Sequence, residues 1–409
     1  MRLLPIGFGC TILVLLTTSG MAQYPEPIPA GPAAAPNAGV TPGQYGIDTR
    51  SELTPWTIDT SSPVPGNPEE STRFGGTPSY IDPSCENLKN DTCNVYVDFL
   101  AYKLDRAYEQ PLVQNASSTP PATMLTTGAL DFGFDPGART TFVYNSAPEE
   151  GTKIEISYFG VYNWNSGAIV NAPGTLQLPG NFGAAPLSMN GLAPNDFNSA
   201  NSMAVSYTAQ INSVEANLLY ADVLNPNSPS TASAQGGTTR SQSSPLAVLA
   251  GVRFIKMTEV LDITSRRDTG GVSLYDINSS SNLFGAQSGV RYFRQQGCWD
   301  LTATGKFGIY AGTLAQHTFQ TNENNSVVER NYTPSFTQSS FVGEVNVALA
   351  YQFRKNRLFT FGYNALVLQG VARAPDSLDF SYRNDSGNQL NIRHGAFMHG
   401  PSVGLEYRW

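Results

Sequence analysis

The stretch FVGEVNVALAYQFRKNRLFTFGYNALV, residues 341–367, contains two strands and one tight turn. Phe341, Gly343, Val345, Val347, Leu349, Tyr351 and Phe353 share one parity, while Glu344, Asn346 and Gln352 fall on the other. A period of two with one greasy and one polar face belongs to a β-strand. After the charged turn Arg354-Lys355-Asn356-Arg357, the pattern resumes as Phe359, Phe361, Tyr363, Ala365 and Val367 against Thr360, Gly362 and Asn364. A strand in a soluble sandwich runs about five or six residues, whereas the alternation here covers the 13 residues 341–353. At ~3.3 Å per residue and a tilt of ~40° such a strand climbs roughly 30 Å, enough to cross the apolar band of an outer-membrane barrel. The greasy parity then meets lipid and the polar parity a lumen.

The start of the chain agrees with export. Met1-Arg2, an apolar run from Leu3 to Leu16 and the small residues around Ala22 read as a secretory signal over residues 1–22. The run is too short for a helical anchor, and no other stretch approaches eighteen apolar residues. Without the signal, which carries Arg2 and Cys10, 387 residues remain with 23 basic and 32 acidic side chains, a net charge of −9. That balance argues against nucleic acid as a partner. Charged residues make up only 14% of the sequence, and Tyr, Phe, Gly, Asn, Ser and Thr fill their place, as expected when half of each strand faces lipid. Residues 23–92 are rich in proline and lack periodicity, which predicts a disordered periplasmic tail acting as a spacer, tether or plug.

From Cys93 onward the alternation predicts an all-β, antiparallel transmembrane barrel of about twelve strands over residues 93–409. The first is NVYVDFLAY; then a long segment, Lys103 to Gly137, has in ALDFGF a possible small extra strand. Arg139–Asn145 and Ile154–Trp164 form a hairpin, and MAVSYTAQI returns through a turn at Asn212-Ser213 as Val214, Ala216, Leu218 and Tyr220. Leu246–Phe254 turns near Lys256–Thr258 into a less regular strand through Leu261 and Ile263. LFGAQSGVRYF and CWDLTATGKFGIYAG flank a turn at Arg294–Gly297, and Val403, Leu405, Tyr407 and Trp409 end the chain. Read this way, connections of a few residues alternate with long ones, among them Asn165–Ala200, Asn225–Ser244, Arg266–Asn282, Thr313–Phe336 and Gly370–Pro401. Short periplasmic turns and long outer loops give that rhythm.

The final strand, Val403, Leu405, Tyr407 and terminal Trp409, resembles the carboxyl-terminal signal read by the barrel-assembly machinery of Gram-negative outer membranes. The stretches NVYVDFLAYKLDRAYEQPLV, GARTTFVYNSAPEEGTKIEISYFGVY, NLFGAQSGVRYF, CWDLTATGKFGIYAG and VGLEYRW are similar to the beta-barrel porin family 7 of planctomycete-type bacteria. The resemblance covers about Cys93 to Trp409 and implies an outer-membrane barrel, with a transport function that is itself inferred from the barrel.

With apolar residues outward, Asp98, Arg139, Glu155, Glu215, Arg253, Asp262, Arg291, Asp300, Lys306, Glu344, Glu406 and Arg408 face the lumen. In a pore, opposed acidic and basic groups set up a transverse field that screens solutes by size and charge. In a structural barrel the same groups brace the wall. An enzyme in the wall needs a nucleophile beside a base. The histidines His317, His394 and His399 all fall in predicted outer loops with no Ser and acid at matching strand positions. His394 and His399 lack a third metal ligand, and residues 384–388, NDSGN, lack the closing Glu of a calcium loop. No catalytic residue, metal or cofactor is therefore expected. Cys85, Cys93 and Cys298 fall on one rim of an oxidising compartment, so one disulfide is expected among them.

The expected function is a passive, weakly selective diffusion pore embedded in outer-membrane lipid. A non-conducting structural or adhesive barrel and a secreted soluble β-protein are the alternatives, separable by conductance and by a requirement for detergent.

Overall fold

The computed structural model describes residues 92–147, 152–180, 197–221, 245–268, 270–321, 328–381 and 387–409. The chain divides into two units, Met1–Gly76 and Thr77–Trp409, and every described residue belongs to the second. The signal and nearly all of the predicted tail lie outside the described residues. Thirteen strands follow one another: β1 (Cys93–Leu104), β2 (Pro111–Asn115), β3 (Ala122–Thr126), β4 (Phe134–Ala147), β5 (Thr152–Gln177), β6 (Ala200–Tyr220), β7 (Leu246–Arg266), β8 (Val272–Gln296), β9 (Trp299–Thr321), β10 (Val328–Tyr332), β11 (Ser335–Arg354), β12 (Arg357–Gln369) and β13 (Ala396–Arg408).

Ten of these pair antiparallel in a closed ring, β1-β13-β12-β11-β9-β8-β7-β6-β5-β4 and back to β1. Closure removes the edges that an open sheet leaves unpaired. The start of β1 and the end of the chain make the seam: Thr92 and Cys93 N–H donate to the Trp409 carbonyl at 2.8 and 3.0 Å, and Trp409 N–H donates back to Cys93. The other three strands are short. The β2–β3 hairpin docks on the end of β5, and β10 on the end of β9. No helix among the described residues is long and apolar enough to cross a membrane.

The wall has two halves of opposite polarity. Near the rim that carries Thr92 and Trp409, the terminal rim, β6 points Val214, Ala216, Leu218 and Tyr220 outward and buries Ser213, Glu215 and Asn217. Further along the same strand the inward parity is Met203, Val205, Tyr207, Ala209 and Ile211, and the outward one is Ser206, Thr208, Gln210 and Asn212. On β7, Val252 and Phe254 face out and Arg253 in, then Ile255, Met257, Leu261 and Ile263 face in and Lys256 out. The crossover is level around the tall side of the barrel: Asn212, Lys256, Asn282, Thr313 and Thr337 are register partners in a polar outward row. Directly below it lie the exposed Val214, Phe254 and Phe284. The lower margin of this apolar belt carries exposed Tyr144, Tyr220, Trp299, Tyr351, Tyr407 and Trp409, the aromatic girdle of a membrane barrel.

This inversion corrects several expectations. No turn exists at Asn212-Ser213 or at Lys256–Thr258: β6 and β7 are continuous strands of 21 residues each. The apolar residues change parity there because the medium outside the wall changes from lipid to water, and a parity change along a sequence looks like a hairpin. Among the described residues the wall thus has ten strands, with three short ones added beyond the belt, close to the expected count of about twelve. Asp262 points outward, since Leu261 and Ile263 point in. Much of the predicted loops Arg266–Asn282 and Thr313–Phe336 is strand, and only a short turn around Arg267–Gly271 joins β7 to β8. The long connection between β6 and β7 starts and ends on the terminal rim instead of the distal one, so the strict alternation of connection lengths fails at this point. The ALDFGF run is not an extra strand, though its Phe134 opens β4; its Leu130 and Phe132 are buried in the apolar core.

The distal half is filled. Leu100, Tyr102, Leu104, Phe132, Trp164, Phe197, Met203, Met257, Leu261, Ile263, Tyr275 and Leu314 belong to one buried apolar cluster. The connection after β12 completes it from above. Gly370, at φ 75°, bends the chain off the wall, and its carbonyl accepts from Ser340 Oγ at 2.7 Å and Gln338 Nε2 at 2.9 Å. Val371, Ala372, Arg373 and Ala374 then run inside the barrel, each at most 2% exposed.

Candidate functional site

Eleven predicted lumen residues, Asp98, Arg139, Glu155, Glu215, Arg253, Arg291, Asp300, Lys306, Glu344, Glu406 and Arg408, sit on inward parities of the belt half, which brings them together. Each strand supplies them for one reason: lipid takes the apolar parity, so charge has nowhere to go but in. Glu344 on β11 is bound by Arg253 Nη1 at 2.6 Å and Lys306 Nζ at 3.3 Å, with Arg139 Nη2 at 3.7 Å. Lys306 also reaches Glu215 at 2.6 Å, which lies 3.7 Å from Arg253. Arg291 crosses from β8 to Glu155 on β5 with contacts of 2.8 and 3.1 Å. Nearer the terminal rim Arg408 clasps Glu406 at 2.5 Å and Asp300 at 2.9 Å, and Asp98 accepts from Thr360 at 3.1 Å.

Side chains that carried no sequence signal complete the net. Gln287 Nε2 donates to Glu215 at 2.9 Å and to Asn217 at 2.7 Å, and accepts from Tyr310. Arg139 donates to Asn364 at 2.8 Å and to Tyr102 at 3.1 Å. Phe159 stands inside the barrel with the guanidinium groups of Arg253 and Arg139 at 5.4 and 5.7 Å from its ring centre. Their inward parity follows from the strand register, and Phe159 shares it as the buried neighbour of the outward Tyr158. Arg253, Glu155, Glu215, Lys306 and Glu344 are all under 10% exposed. A hollow of about 620 Å³ does exist at this level, but it lies over Gly305 and Gly343 beside Phe307 and Val345, on the face turned to the bilayer.

A second charged cluster stands above the belt, inside the apolar filling. Glu259 on β7 accepts from Arg373 Nε at 3.1 Å, from the Tyr207 hydroxyl at 2.8 Å and from the Ala374 N–H at 3.0 Å. Arg373 Nη2 donates to the Tyr207 oxygen at 3.0 Å. Burial holds the Tyr207 hydroxyl well above its ordinary pKa against the opposing pull of Arg373, so it remains a donor. Burial alone would lower the Arg373 guanidinium, and the Glu259 charge outweighs it. Neither Glu259 nor Arg373 stood out in the sequence, because Glu259 follows a supposed turn and Arg373 sits in a supposed loop.

The histidines are dispersed. His317 lies on β9 and His399 on β13, both strands rather than loops, bonded to Asn331 and Tyr363. His394 holds Asp376 through Nδ1 at 2.9 Å and its backbone N–H at 3.1 Å. Cys298, in the turn between β8 and β9, is disulfide-bonded, Cys93 opens β1 and is buried, and Cys85 lies outside the described residues. On the last strand Leu405, Tyr407 and Trp409 are exposed to the outside of the wall and Val403 partly so.

No curated protein sequence matches the chain. Among solved structures it is similar to the outer membrane protease OmpT from Escherichia coli, at 10% identity and a TM-score of 0.39 over 78% of this chain and 97% of that one. It is also similar to the translocator domain of the autotransporter NalP from Neisseria meningitidis (9%, 0.34, 80% and 92%) and the toluene transporter TbuX of Ralstonia pickettii (10%, 0.30, 78% and 90%). At these identities and scores the likeness bears on neither activity nor substrate. The family described as "Putative beta barrel porin-7 (BBP7)" matches residues 196–409, just over half of the chain, and with the closed apolar-belted barrel this makes the protein an outer-membrane β-barrel that belongs to the porin-7 family.

Proposed function

We propose that the protein passes small solutes across the outer membrane with weak selectivity, and that the described conformation is its closed state. One observation carries this reading: the belt half encloses eleven charged side chains of both signs, an interior suited to water and ions, and the apolar filling that the wall strands build above it is completed by a connection that belongs to no strand. The strap Gly370–Ala374 enters through the distal mouth and leaves again, and a segment of that kind can withdraw without breaking any strand pairing. The eleven residues are the lining of the open state, with opposed charges setting its field. The terminal rim, where Thr92, Tyr220 and Leu246 lie, faces the periplasm. Outer-membrane lipid surrounds the belt, and the barrel-assembly machinery reads the strand ending Val403, Leu405, Tyr407 and Trp409. We assign no catalytic residue and no cofactor.

A non-conducting structural barrel is favoured by a different observation, that the charges of the belt half are partnered and largely buried. Planar-bilayer recording separates the two. Full-length protein should be mostly closed, and a variant with Val371–Leu378 replaced by a Gly-Ser linker should conduct. In that variant Glu344→Gln and Arg291→Gln should move the cation-to-anion preference in opposite directions. Silence from both proteins, with insertion verified, would leave the structural barrel as the reading.

A further inference from the structure

The Glu259 cluster asks for an explanation that the wall does not give. A carboxylate inside an apolar chamber is costly to bury unless a cation and hydrogen-bond donors meet it, and stability alone is served as well by an apolar side chain at that position. Here the chamber is built by β6, β7 and β8, with Met203, Val205, Met257, Leu261, Ile263, Tyr275 and Ile277 as its walls. Phe132 lies against the Tyr207 ring at 4.7 Å between centroids. Into this chamber the wall contributes the carboxylate of Glu259, bonded at 2.8 Å to the hydroxyl of Tyr207. The cation comes from elsewhere. Arg373 arrives on the strap, 114 residues along the chain from Glu259, and is 1% exposed.

The strap is held at few points besides this one. Ala372 N–H donates to Ser281 Oγ on β8 at 2.9 Å, Ala374 N–H to Glu259, and Arg373 Nη1 reaches the Gly395 carbonyl at 3.4 Å. Its far end is pinned outside the chamber by the Asp376–His394 pair, and its near end by the Gly370 bend. Gly370 suits a hinge, because a side chain there would sit at φ 75° with Ser339 O at 3.0 Å from the new Cβ. Wall and strap therefore divide the cluster between a fixed anionic receptor and a removable cationic occupant.

We propose that Glu259 and Tyr207 form a binding site for a guanidinium or alkylammonium group carried on an apolar body, and that Arg373 is its tethered internal occupant. The chemical class follows from the lining. The carboxylate and the Tyr207 oxygen accept from two edges of a planar guanidinium, as they do from Nε and Nη2 of Arg373, and the methionine, leucine and aromatic walls take the apolar remainder. A small anion would meet the Glu259 carboxylate there, and a neutral sugar brings no charge to answer it. The binding step is an exchange of one guanidinium for another, with no bond made or broken and no net change of charge in the chamber. This deepens the channel reading, since a solute of that class would release the strap.

The direct test removes the tethered group and offers a free one. Arg373→Ala protein in detergent micelles, titrated calorimetrically with ethylguanidinium, should show one saturable site and a raised melting temperature on saturation. The double variant Arg373→Ala/Glu259→Gln should bind at least ~tenfold more weakly, the loss expected for a charged hydrogen-bond partner. Urea, planar but neutral, should do nothing. Should Arg373→Ala not fold, Arg373→Gln keeps the side-chain bulk and serves the same titration. Equal affinity in the single and double variants, or no saturable binding, would overturn the site. Conductance is recorded separately: binding intact with no current in any variant counts against the channel reading and leaves the site standing.

Discussion

The belt half and the distal half of this barrel are made of the same strands, and they obey one alternation with opposite results. On β6 the inward parity reads Met203, Val205, Tyr207, Ala209 and Ile211 above the crossover and Ser213, Glu215 and Asn217 below it. Nothing in the backbone changes at Asn212. What changes is the medium on the far side of the wall: lipid takes the greasy parity below, and water takes the polar parity above, leaving the interior with whatever remains. The interior is consequently an ion net in one half and an apolar core in the other. The two halves ought then to fail in different ways when altered.

The largest effect is expected in the belt. Glu344 meets Arg253, Lys306 and Arg139, and Glu344→Ala strands buried positive charge, at a cost of about 3–5 kcal/mol. Reversible unfolding from lipid bilayers would measure it, and a cost under about 1 kcal/mol would mean that water already reaches the net. A deletion of apolar volume should show the reverse ranking of the halves. Leu261→Ala empties part of a packed core and should cost about 2–5 kcal/mol, whereas Leu218→Ala on the lipid face leaves no cavity and should cost less, about 1–2 kcal/mol of lost transfer into lipid. Equal losses would erase the distinction drawn at the polar row. Within the belt, parity itself is tested by Val347→Arg, which drives a charge into lipid for ~2–4 kcal/mol, against Asn346→Arg, which turns inward and should cost much less.

These tests also mark how far the sequence could be read. The 341–367 hairpin, the belt parities and with them the inward side of eleven charges were legible, because lipid on one side and charge on the other give an alternation that needs no tertiary information. β8 above the belt was not. Its SLYDINSSSN run puts serines on both faces, so the period fades where a polar exterior meets an interior filled partly by a connection from elsewhere. The apparent turns in β6 and β7 arose from the same cause, a real parity change given the wrong meaning. Glu259 with Arg373 was out of reach for a further reason: the two are far apart in the chain, and only the bend at Gly370 brings them together.

The smallest expected effect probes the outward face above the polar row, where a charge can sit that lipid would reject. Asp262 and Asp276 are register partners on β7 and β8, both on the outward parity, between Ser206 of β6 and Phe319 of β9. Burial between these neighbours and the adjacent Asp262 carboxylate push Asp276 up to about 7. The folded state therefore keeps a proton that the unfolded chain releases above pH ~4. Stability from this group is complete in acid and is lost as pH rises from ~4 to ~7; above that the pair is a standing repulsion. Asp276→Asn should leave stability unchanged near pH 4 and raise it by about 1 kcal/mol at pH 8, a figure reduced from the full shift because the pair is partly exposed. Unfolding curves of both proteins across that range would decide it. A difference that does not vary with pH would mean the carboxyls are independently solvated, as they would be if the outward face above the row were open to water at every position.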